Sequence, residues 1–424
     1  MNDWNLSPPP ESALSDHEVP LDGTQLKGQR IALLLSGGIA AMKAPMIARA
    51  LRRRAASVVV FATKEALRYT TIDALTWSSD NPVITQLSAA AEHISDKAPF
   101  DAYLLAPATY NTINKMVNGV ADSPVTTTLA IAIGRMERGQ SQLLLAPPMH
   151  GYLHNSLLTE SLEKLTGMGV RIIPPREDYG KHNIPSEECL VSEVCRTTSI
   201  SQLKGLSILV TGGPTPTPID NVRQISNRFT GQLGLQVATE LYLRGAETLL
   251  INGTGKVQPH DWLPHTNTHS YDEYSTTVMQ TLAEKPFAAG VFSAAVADYR
   301  ITNVLPGKTA STKPLSLQLV PTEKIIQTVK KSFPELYMVT FKYQENISHR
   351  NLIAIARKRV EYGYPLVVAN RGEEMGPHGE HVAHLVSDTG KSQKAVGKSA
   401  IAVAIADHIE WNLDSAIKNI SKPT

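Results

Sequence analysis

The sequence predicts an α/β protein made of two doubly wound parallel sheets, one in each of two domains. Its apolar segments are short continuous runs such as QRIALLLS (29–36), which are typical of strands buried on both faces of a parallel sheet. Helix-like segments separate these runs. A strand followed by a glycine pair occurs twice, at Gly37-Gly38 and at Gly212-Gly213, which indicates that the alternation restarts in a second domain.

Length and composition narrow the class of protein. At 424 residues the chain is long enough for two or three domains. Its 42% hydrophobic and 19% charged residues are ordinary for a globular protein, and a formal net charge of +2 gives no reason to expect binding to nucleic acid. Two cysteines are too few for a disulfide framework, which favours the cytoplasm. No apolar run reaches the ~18 residues of a membrane span, so no membrane partner is expected.

Four apolar runs of the first half are expected to form one sheet. They are residues 29–36, 56–63, 101–107 and 142–147. A helix is expected over residues 40–54, because apolar residues recur there at helical spacing and three arginines lie at the negative pole of its dipole. Residues 1–28, with three consecutive prolines and scattered acidic residues, are expected to be a flexible tail, so the first domain is predicted to span residues 29–200.

The strand pattern resumes in the second predicted domain, residues 203–424. Its expected strands are residues 207–211, 247–252, 289–293, 338–341 and 365–370, and a helix is expected over 233–244. The polar segments 211–234 and 292–300 follow two of these strands, and open α/β sheets bind ligands at the carboxyl ends of their strands. A glycine pair at such a position lets backbone N–H groups approach a phosphate, although a simple tight turn explains it equally well.

These polar segments resemble the phosphopantothenate–cysteine ligase half of the bacterial fusion proteins that make and decarboxylate phosphopantothenoylcysteine. The matching residues are Pro218-Ile219-Asp220, Arg223, Ile225-Ser226-Asn227-Arg228, Gly231, Ala294 to Arg300 and Lys308. The resemblance implies a carbon–nitrogen ligase that uses CTP or ATP with Mg²⁺. In that family the phosphopantothenate carboxylate is activated as an acyl nucleotide, which the amine of cysteine then attacks.

The resemblance also implies individual roles. Asn227 would hold the acyl-nucleotide intermediate, and Lys308 would stabilise charge in the transition state. Lys313 is the alternative to Lys308, because the lysine-rich signature of the family is reduced here to GKTASTK (307–313). The implied nucleotide-binding residues are Gly212, Gly213, Arg223, Ala294, Asp298, Lys313, Phe341 and Lys342. Without the resemblance, Asn227 would more often be a helix cap and Asp298 a turn residue.

The first half resembles the flavin-dependent cysteine decarboxylases, which bind FMN. The segments SGGIAAMKAP (36–45) and APATYNTINKMVNGVADSPVTTTLA (106–130) carry this resemblance. The implied FMN contacts are Gly37, Gly38, Ile39, Thr63, Ala106, Pro107, Ala108, Thr109, Asn111, Ser123, Thr126 and Thr127. His93 and His150 stand in the two segments where the family has catalytic residues, and a histidine can orient or deprotonate a thiol or carboxyl group at neutral pH.

Other parts of the decarboxylase pattern are altered. His150 replaces an asparagine of the family, Gly38 replaces a serine, and residues 175–188 lack the family's cysteine, while Cys189 is expected in a buried helix. Three interpretations follow. The half has lost decarboxylation and serves assembly or regulation, or it performs altered flavin chemistry through His93 and His150, or it decarboxylates through residues not identified. His150 and His154 lack a third ligand, so no metal site is predicted.

Two broader alternatives concern the whole chain. It could be a paralogue that joins a different acid and amine, or a non-catalytic flavoprotein that regulates a partner. The expected ligands are otherwise small molecules, namely a phosphopantothenate-like acid, a cysteine-like amine and a nucleoside triphosphate. The resemblance also implies a homo-oligomer, because ligase halves of the family pair as dimers and flavoprotein halves associate as trimers.

Overall fold

The structure, a computed structural model, describes residues 7–8, 11–94, 96–311, 314–390 and 392–420. The chain divides into two compact units, Met1–Ser199 and Ile200–Thr424, called the N-terminal and C-terminal domains below. Each contains a sheet with parallel strands and helices between them, so the predicted fold class is confirmed. No helix among these described residues is both long and apolar enough to cross a membrane.

The N-terminal domain alternates strands and helices. Its strands are β1 (Arg30–Leu35), β2 (Ser57–Ala62), β3 (Ala102–Leu105), β4 (Gln142–Leu145), β5 (Arg171–Ile172), β6 (Arg176–Asp178) and β7 (Lys181–Asn183). Its helices are α1 (Ala44–Arg52), α2 (Ile72–Ser79), α3 (Tyr110–Val117), α4 (Pro124–Glu137), α5 (Ser156–Gly167) and α6 (Glu187–Thr198). Helices α2, α5 and α6 begin after Thr71, Asn155 and Ser186, whose side-chain oxygens accept backbone N–H bonds of the first turn.

Strands β1 to β5 form one parallel sheet in the order β2-β1-β3-β4-β5. The four predicted strands are present, and their interiors are buried because helices cover both faces of the sheet. The chain order reverses between β1 and β3, so the loops that follow these two strands diverge and leave a crevice at their carboxyl ends. The predicted helix over residues 40–54 is present as a 3₁₀ turn, Ile39–Lys43, followed by α1.

Part of the predicted flexible tail is packed onto the domain. Leu26 is fully buried, and Val19 is nearly so. The backbone N–H groups of Asp22 and Leu26 donate to the carbonyls of Arg53 and Arg54 just beyond α1. The tail prediction therefore extends too far, because it rested on composition alone and composition does not show which apolar side chain finds a partner.

The C-terminal domain has the longer sheet. Its strands are β8 (Ser207–Gly212), β9 (Pro214–Thr215), β10 (Thr217–Pro218), β11 (Gln224–Ile225), β12 (Glu247–Asn252), β13 (His265–Asn267), β14 (Ala289–Phe292), β15 (Ala295–Val296), β16 (Tyr299–Ile301), β17 (Leu319–Pro321), β18 (Tyr337–Gln344), β19 (Leu366–Arg371), β20 (Val382–Ser387) and β21 (Ser392–Val396). Its helices are α7 (Gln232–Leu243), α8 (Tyr271–Glu284), α9 (Ile325–Ser332), α10 (His349–Glu361) and α11 (Lys398–Ile420).

Eight of these strands form the main sheet, in the order β13-β12-β8-β14-β18-β19-β20-β21 within the described residues. The strands from β13 to β19 are parallel, as predicted, and include the five predicted strands. Strands β20 and β21 add an antiparallel edge that the sequence analysis does not predict. The chain order reverses between β8 and β14, so the polar segments that follow these strands lie at the position where such sheets bind ligands.

Candidate active sites

A cavity of 870 Å³ lies in the N-terminal domain, at the loops that follow its strands. Many of the residues predicted to contact FMN line it. These are Gly37, Gly38, Ile39, Thr63, Thr109, Asn111, Ser123 and Thr126. The sequence motifs that carry the flavoprotein resemblance are therefore brought to one place, although they come from separate loops.

One buried hydroxyl holds the loops after β1 and β3 together. Ser36, which is 1% exposed, donates to the carbonyl of Pro107 over 2.6 Å and accepts a hydrogen bond from the N–H of Thr109 over 3.0 Å. Ala106 and Ala108 are fully buried. The predicted residues Ala106, Pro107 and Ala108 consequently do not line the cavity but lie beneath its wall, where they position Thr109.

Helix ends in the cavity wall offer hydrogen-bond donors for an anion. Helix α3 begins after Thr109, whose side chain does not cap it, so N–H groups of its first turn remain for a ligand. Helix α4 begins after Ser123, which exchanges two hydrogen bonds with Thr126 in a capping box. At Gly37 the backbone lies so close to Glu65 that an added Cβ would overlap the Cβ of Glu65. Without a side chain, Gly37 leaves its backbone accessible to a ligand. The start of α4 is thus already capped, and the donors at the start of α3 together with the open backbone at Gly37 fit the phosphate of a flavin mononucleotide.

The predicted catalytic histidines are separated. His150 lines the cavity, whereas His93 and the predicted contact Thr127 are not among the residues that do. The Nδ1 atom of His93 is buried and lacks a hydrogen-bond partner among the described residues. His93 lies in the connection between α2 and β3. Its spacing from Ala106 in the sequence does not show whether its side chain reaches the cavity of the same chain.

A β-hairpin covers part of the cavity, and the sequence analysis missed its residues. Strands β6 and β7 pair antiparallel, and the hairpin is joined to Met149 by two backbone hydrogen bonds with His182. Arg176, Lys181 and His182 all line the cavity beside His150. The hairpin could have been predicted from the sequence, because two short polar runs flank Tyr179-Gly180 and a glycine at this position is typical of a turn.

Neither cysteine has the properties of a catalytic acid in this cavity. Cys189 and Cys195 both lie in α6, as expected for Cys189, and neither lines the cavity. Burial raises the pKa of Cys189 to about 12, with a further increase from the nearby Glu193. The thiol therefore stays protonated and unreactive near neutral pH.

Close-packed glycines form the base of the candidate site in the C-terminal domain. Gly213 follows β8 with φ +76°, and a Cβ there would lie 3.0 Å from the backbone of Gly253. A Cβ on Gly234 would lie 2.7 Å from the Cα of Gly212. Helix α7 begins after Gly231, which has no side chain to cap it, and the N–H of Gln232 donates to the Thr230 hydroxyl over a long 3.4 Å. Backbone N–H groups at this helix end are thus accessible to a phosphate.

Asn227 lies beside the loop that follows β14. Its amide nitrogen donates to the carbonyls of Ala295 and Val296 over 2.9 and 3.3 Å. Strand β15 pairs with β9, so the loops after β8 and β14 are themselves joined. The predicted residues Asn227, Gly213 and Ala294 are therefore drawn together by one set of backbone contacts.

Arg223 and Lys308 are connected through a residue that the sequence analysis assigned no role. Asp220, whose side chain is fully buried, accepts hydrogen bonds from the backbone N–H groups of Val222, Arg223 and Thr309 over 2.8, 2.8 and 3.1 Å. The guanidinium of Arg223 contacts the same carboxylate over 2.7 Å and also donates to the Thr309 carbonyl. Asp220 and Arg223 thus hold the loop in which Lys308 is exposed.

Two of the remaining residues predicted to bind the nucleotide, Asp298 and Lys342, belong to a second charged group. Asp298 forms an ion pair with Lys324, a residue that the sequence analysis missed. Lys342 on β18 lies within electrostatic reach of both, and burial lowers its pKa, as do the positive charges of Arg359 and Lys324. Phe341 instead packs on the apolar cluster formed with α7 and α11, because successive strand residues face opposite sides. Lys313 lies outside the described residues.

Comparisons with known proteins identify a family for each of the two domains. A family model described as flavoprotein matches residues 21–199, and one described as the DNA/pantothenate metabolism flavoprotein C-terminal domain matches residues 203–412. The coenzyme A biosynthesis bifunctional protein CoaBC of Thermococcus kodakarensis is 34% identical over 394 residues, which are 91% of this chain and 96% of that protein. This chain belongs to the CoaBC family. Escherichia coli CoaBC is 30% identical over 366 residues, 81% of this chain and 86% of that protein.

Among solved structures, a DNA/pantothenate metabolism flavoprotein from Streptococcus pneumoniae is 26% identical, with a TM-score of 0.44 over 49% of this chain and all of that one. The two family models divide this CoaBC protein between residues 199 and 203, and the two compact units meet in sequence at the same place.

Proposed function

We propose that the C-terminal domain of this CoaBC protein joins 4'-phosphopantothenate to cysteine through an acyl-nucleotide intermediate. One observation carries the proposal: Asn227 is held against Ala295, and the Ala295 N–H donates in turn to the carbonyl of Gly213. Gly213 lies against Gly231 at the glycine-rich start of α7. A phosphate-binding helix end next to a fixed amide side chain is the arrangement that an acyl phosphate linkage requires. The family assignment supports it, since CoaBC proteins are named for coenzyme A biosynthesis.

The proposed reaction has two chemical steps. The carboxylate oxygen of the acid attacks the α-phosphorus of the nucleotide, and the bond to pyrophosphate breaks. The amine of cysteine then attacks the acyl carbon, loses a proton and displaces the nucleoside monophosphate. Lys308, Lys324 and Lys342 would neutralise charge on the phosphates together with the Mg²⁺ that accompanies the nucleotide.

The test is a product assay with purified full-length protein. The protein is incubated with phosphopantothenate, cysteine, Mg²⁺ and either CTP or ATP, and products are identified by mass. We expect pyrophosphate and phosphopantothenoylcysteine with one nucleotide, a large loss of turnover in Asn227→Asp and Lys308→Gln, and normal turnover in the control Lys331→Gln on α9. Turnover only with another acid or amine would favour the paralogue, and no turnover with any pair would reject the ligase assignment.

For the N-terminal domain we propose FMN binding and chemistry on a thiol-bearing carboxylic acid. The supporting observation is that His150, Arg176, Lys181 and His182 all face the cavity that the flavin motifs line. A domain retained only for assembly has no need of four basic side chains in such a cavity. When bound, FMN would supply a two-electron acceptor for thiol oxidation.

The protein's own residues would then bind and orient the substrate. Lys181 can pair with its anionic groups, as can Arg176 once it leaves the Asp178 carboxylate 2.7 Å away, while His150 and His182 are the candidate proton donors and acceptors. Cys189 is not available as the acid, because its pKa is about 12 and it lies outside the cavity. The hairpin β6–β7 would thus replace the cysteine-bearing segment of the decarboxylases.

The measurement is carbon dioxide release from added phosphopantothenoylcysteine, after the FMN content has been determined from the yellow colour. We expect Lys181→Met and His150→Ala to keep FMN but lose turnover, and the exposed control Lys27→Met to keep both. Bound FMN with no turnover on any thiol acid would instead support a regulatory or assembly role.

A role for His93 requires more than one copy of the chain, because His93 is not in the cavity of its own chain. We infer that a homo-oligomer supplies it from a neighbouring copy. Mixed oligomers of His93→Ala and His150→Ala chains should recover activity that neither variant has alone. Activity of the His93→Ala protein equal to wild type would exclude the role.

A further inference from the structure

A cluster of three potential metal ligands lies in the C-terminal domain, outside the sequence motifs. His349 is the first residue of α10, Glu374 follows β19, and His384 lies on β20. One ligand atom from each residue lies within 4.8 Å of those of the other two. The sequence analysis predicts no metal site, since three separate elements contribute one ligand each and no spacing pattern connects them.

The geometry of the cluster suits a single ion. The Nε2 atom of His384 lies 3.0 Å from one carboxylate oxygen of Glu374, and the Nδ1 atom of His349 lies 3.6 Å from the other. Bonds of about 2.1 Å to nitrogen and oxygen place two ligands of a tetrahedral zinc ion roughly 3.4 Å apart. Both separations from the carboxylate are close to this spacing, and the ligand atoms of the two imidazoles lie within 4.8 Å of each other, so side-chain rotation can bring all three onto one ion.

Two of the three side chains in the cluster are buried, and the third is exposed to solvent. The side chain of His384 is 6% exposed and that of Glu374 is 17% exposed, whereas that of His349 is 47% exposed. Two ligands are thus held by the surrounding domain, and the third lies at the surface. This leaves a path by which an ion enters and a position for water as a fourth ligand.

Two cationic side chains also face Glu374. Arg371 lies 3.4 Å from its carboxylate and donates to the carbonyl of Ile347 over 2.8 Å, so it is anchored and orients Glu374 from behind. Lys394 lies 3.8 Å away with a side chain that is 56% exposed, so it can swing into solvent when an ion takes its place. The competing explanation is an ion-free network in which Lys394 and the histidines balance the carboxylate.

We propose that His349, Glu374 and His384 form a binding site for a divalent transition-metal ion, with zinc as the expected occupant. Two imidazoles with one carboxylate are a common zinc ligand set, and nitrogen ligands disfavour Mg²⁺. The ion would join α10 to the antiparallel edge of the sheet. The proposal does not depend on the ligase reaction.

Co²⁺ titration of the full-length, chelator-treated protein tests this proposal, with Zn²⁺ as competitor. We expect one Co²⁺ per chain with visible absorption, displacement by Zn²⁺ but not by millimolar Mg²⁺, and a higher Tm in the presence of Zn²⁺. His349→Ala and Glu374→Gln should each weaken binding at least about tenfold. The exposed His269→Ala is the matched control and should bind like wild type.

The outcome is decisive in either direction. No Co²⁺ binding by wild type, or binding that both variants leave unchanged, would overturn the proposal in favour of the ion-free network. Circular dichroism of metal-free samples shows whether the variants fold. Glu374→Gln preserves side-chain shape, so it decides the question if His349→Ala proves unstable.

Discussion

The carboxylate of Asp220 accepts a hydrogen bond from the backbone N–H of Thr309, with 3.1 Å between the two atoms. This bond joins the turn that precedes Asn227 to the loop that carries Lys308. Two backbone contacts reinforce it, from the N–H of Asn221 to the Gly307 carbonyl and from the N–H of Leu305 to the Ile219 carbonyl. The position of Lys308 therefore depends on the buried carboxylate of Asp220.

Asp220→Asn should lower ligase turnover although it leaves Asn227 and Lys308, the residues proposed to act in the reaction, unchanged. The amide can accept fewer of the backbone N–H bonds, so the Lys308 loop loses its anchor. A displacement of about 1 Å in such a group costs up to about 100-fold in kcat. Steady-state kinetics measure the change, and Asp261→Asn at an exposed position serves as control. An unchanged kcat would show that the loop is positioned by other contacts.

The same residue predicts a pH dependence of stability. The backbone N–H groups of Val222, Thr309 and Arg223 hold the pKa of Asp220 far below its usual range, against the opposing effect of burial. A carboxyl group with a depressed folded-state pKa contributes stability above its unfolded pKa of about 3.9, and this is lost as pH falls towards the folded value. The difference in urea midpoint between wild type and Asp220→Asn should thus be largest at pH 5 to 7 and shrink below about pH 4. A constant difference down to pH 3 would contradict this assignment.

Gly234→Ala should damage the proposed phosphate site. The added Cβ would lie 2.7 Å from both the Cα of Gly212 and the Oγ of Ser293, so the start of α7 must move. Overpacking of this kind costs about 1–3 kcal/mol of stability. Nucleotide affinity by calorimetry should fall with it. Gly167→Ala, at a helical position with no atom within 4 Å of the new Cβ, should leave nucleotide affinity unchanged and stabilise the protein by up to about 1 kcal/mol.

Ser36→Ala should destabilise the N-terminal domain and weaken FMN binding. The substitution leaves the Pro107 carbonyl and the Thr109 N–H without their buried partner, at a cost of about 1–3 kcal/mol. Ser141 is the matched control, because it is 4% exposed but its hydroxyl has no partner among the described residues. Thermal unfolding and flavin titration should therefore change in Ser36→Ala and hardly at all in Ser141→Ala. Equal effects of the two substitutions would disprove the role of Ser36.

Cys189 should resist thiol reagents in the folded protein. With a pKa of about 12 its thiolate fraction at pH 8 is roughly 1000-fold lower than that of a free cysteine. Labelling of native protein should be very slow, and urea-unfolded protein should react at once. Cys189→Ser should preserve any flavin-dependent turnover. Rapid modification of the native protein coupled to loss of turnover would restore a catalytic role for this thiol.

Local patterns predicted the strands well and the sites in part. Continuous apolar runs predict buried parallel strands because both faces of the sheet are covered, and the strands of both domains agree. The antiparallel edge of β20 and β21 was missed, since its pairing depends on contacts with β19 rather than on its own residues. Phe341 packs on an apolar cluster whereas Lys342 lies within electrostatic reach of Asp298, as strand alternation requires of successive residues.

The sequence by itself determined the fold class, the two-domain order and the loops that carry the flavin and ligase motifs, because these follow from periodicity and from short continuous segments. Tertiary structure alone decided which side chains share a site. It placed Lys181 beside His150, removed His93 from that cavity, tied Asp220 to Thr309, and brought His349 to Glu374 and His384. Such pairs are set by the packing of separate elements, and residue order along the chain carries no direct record of that packing.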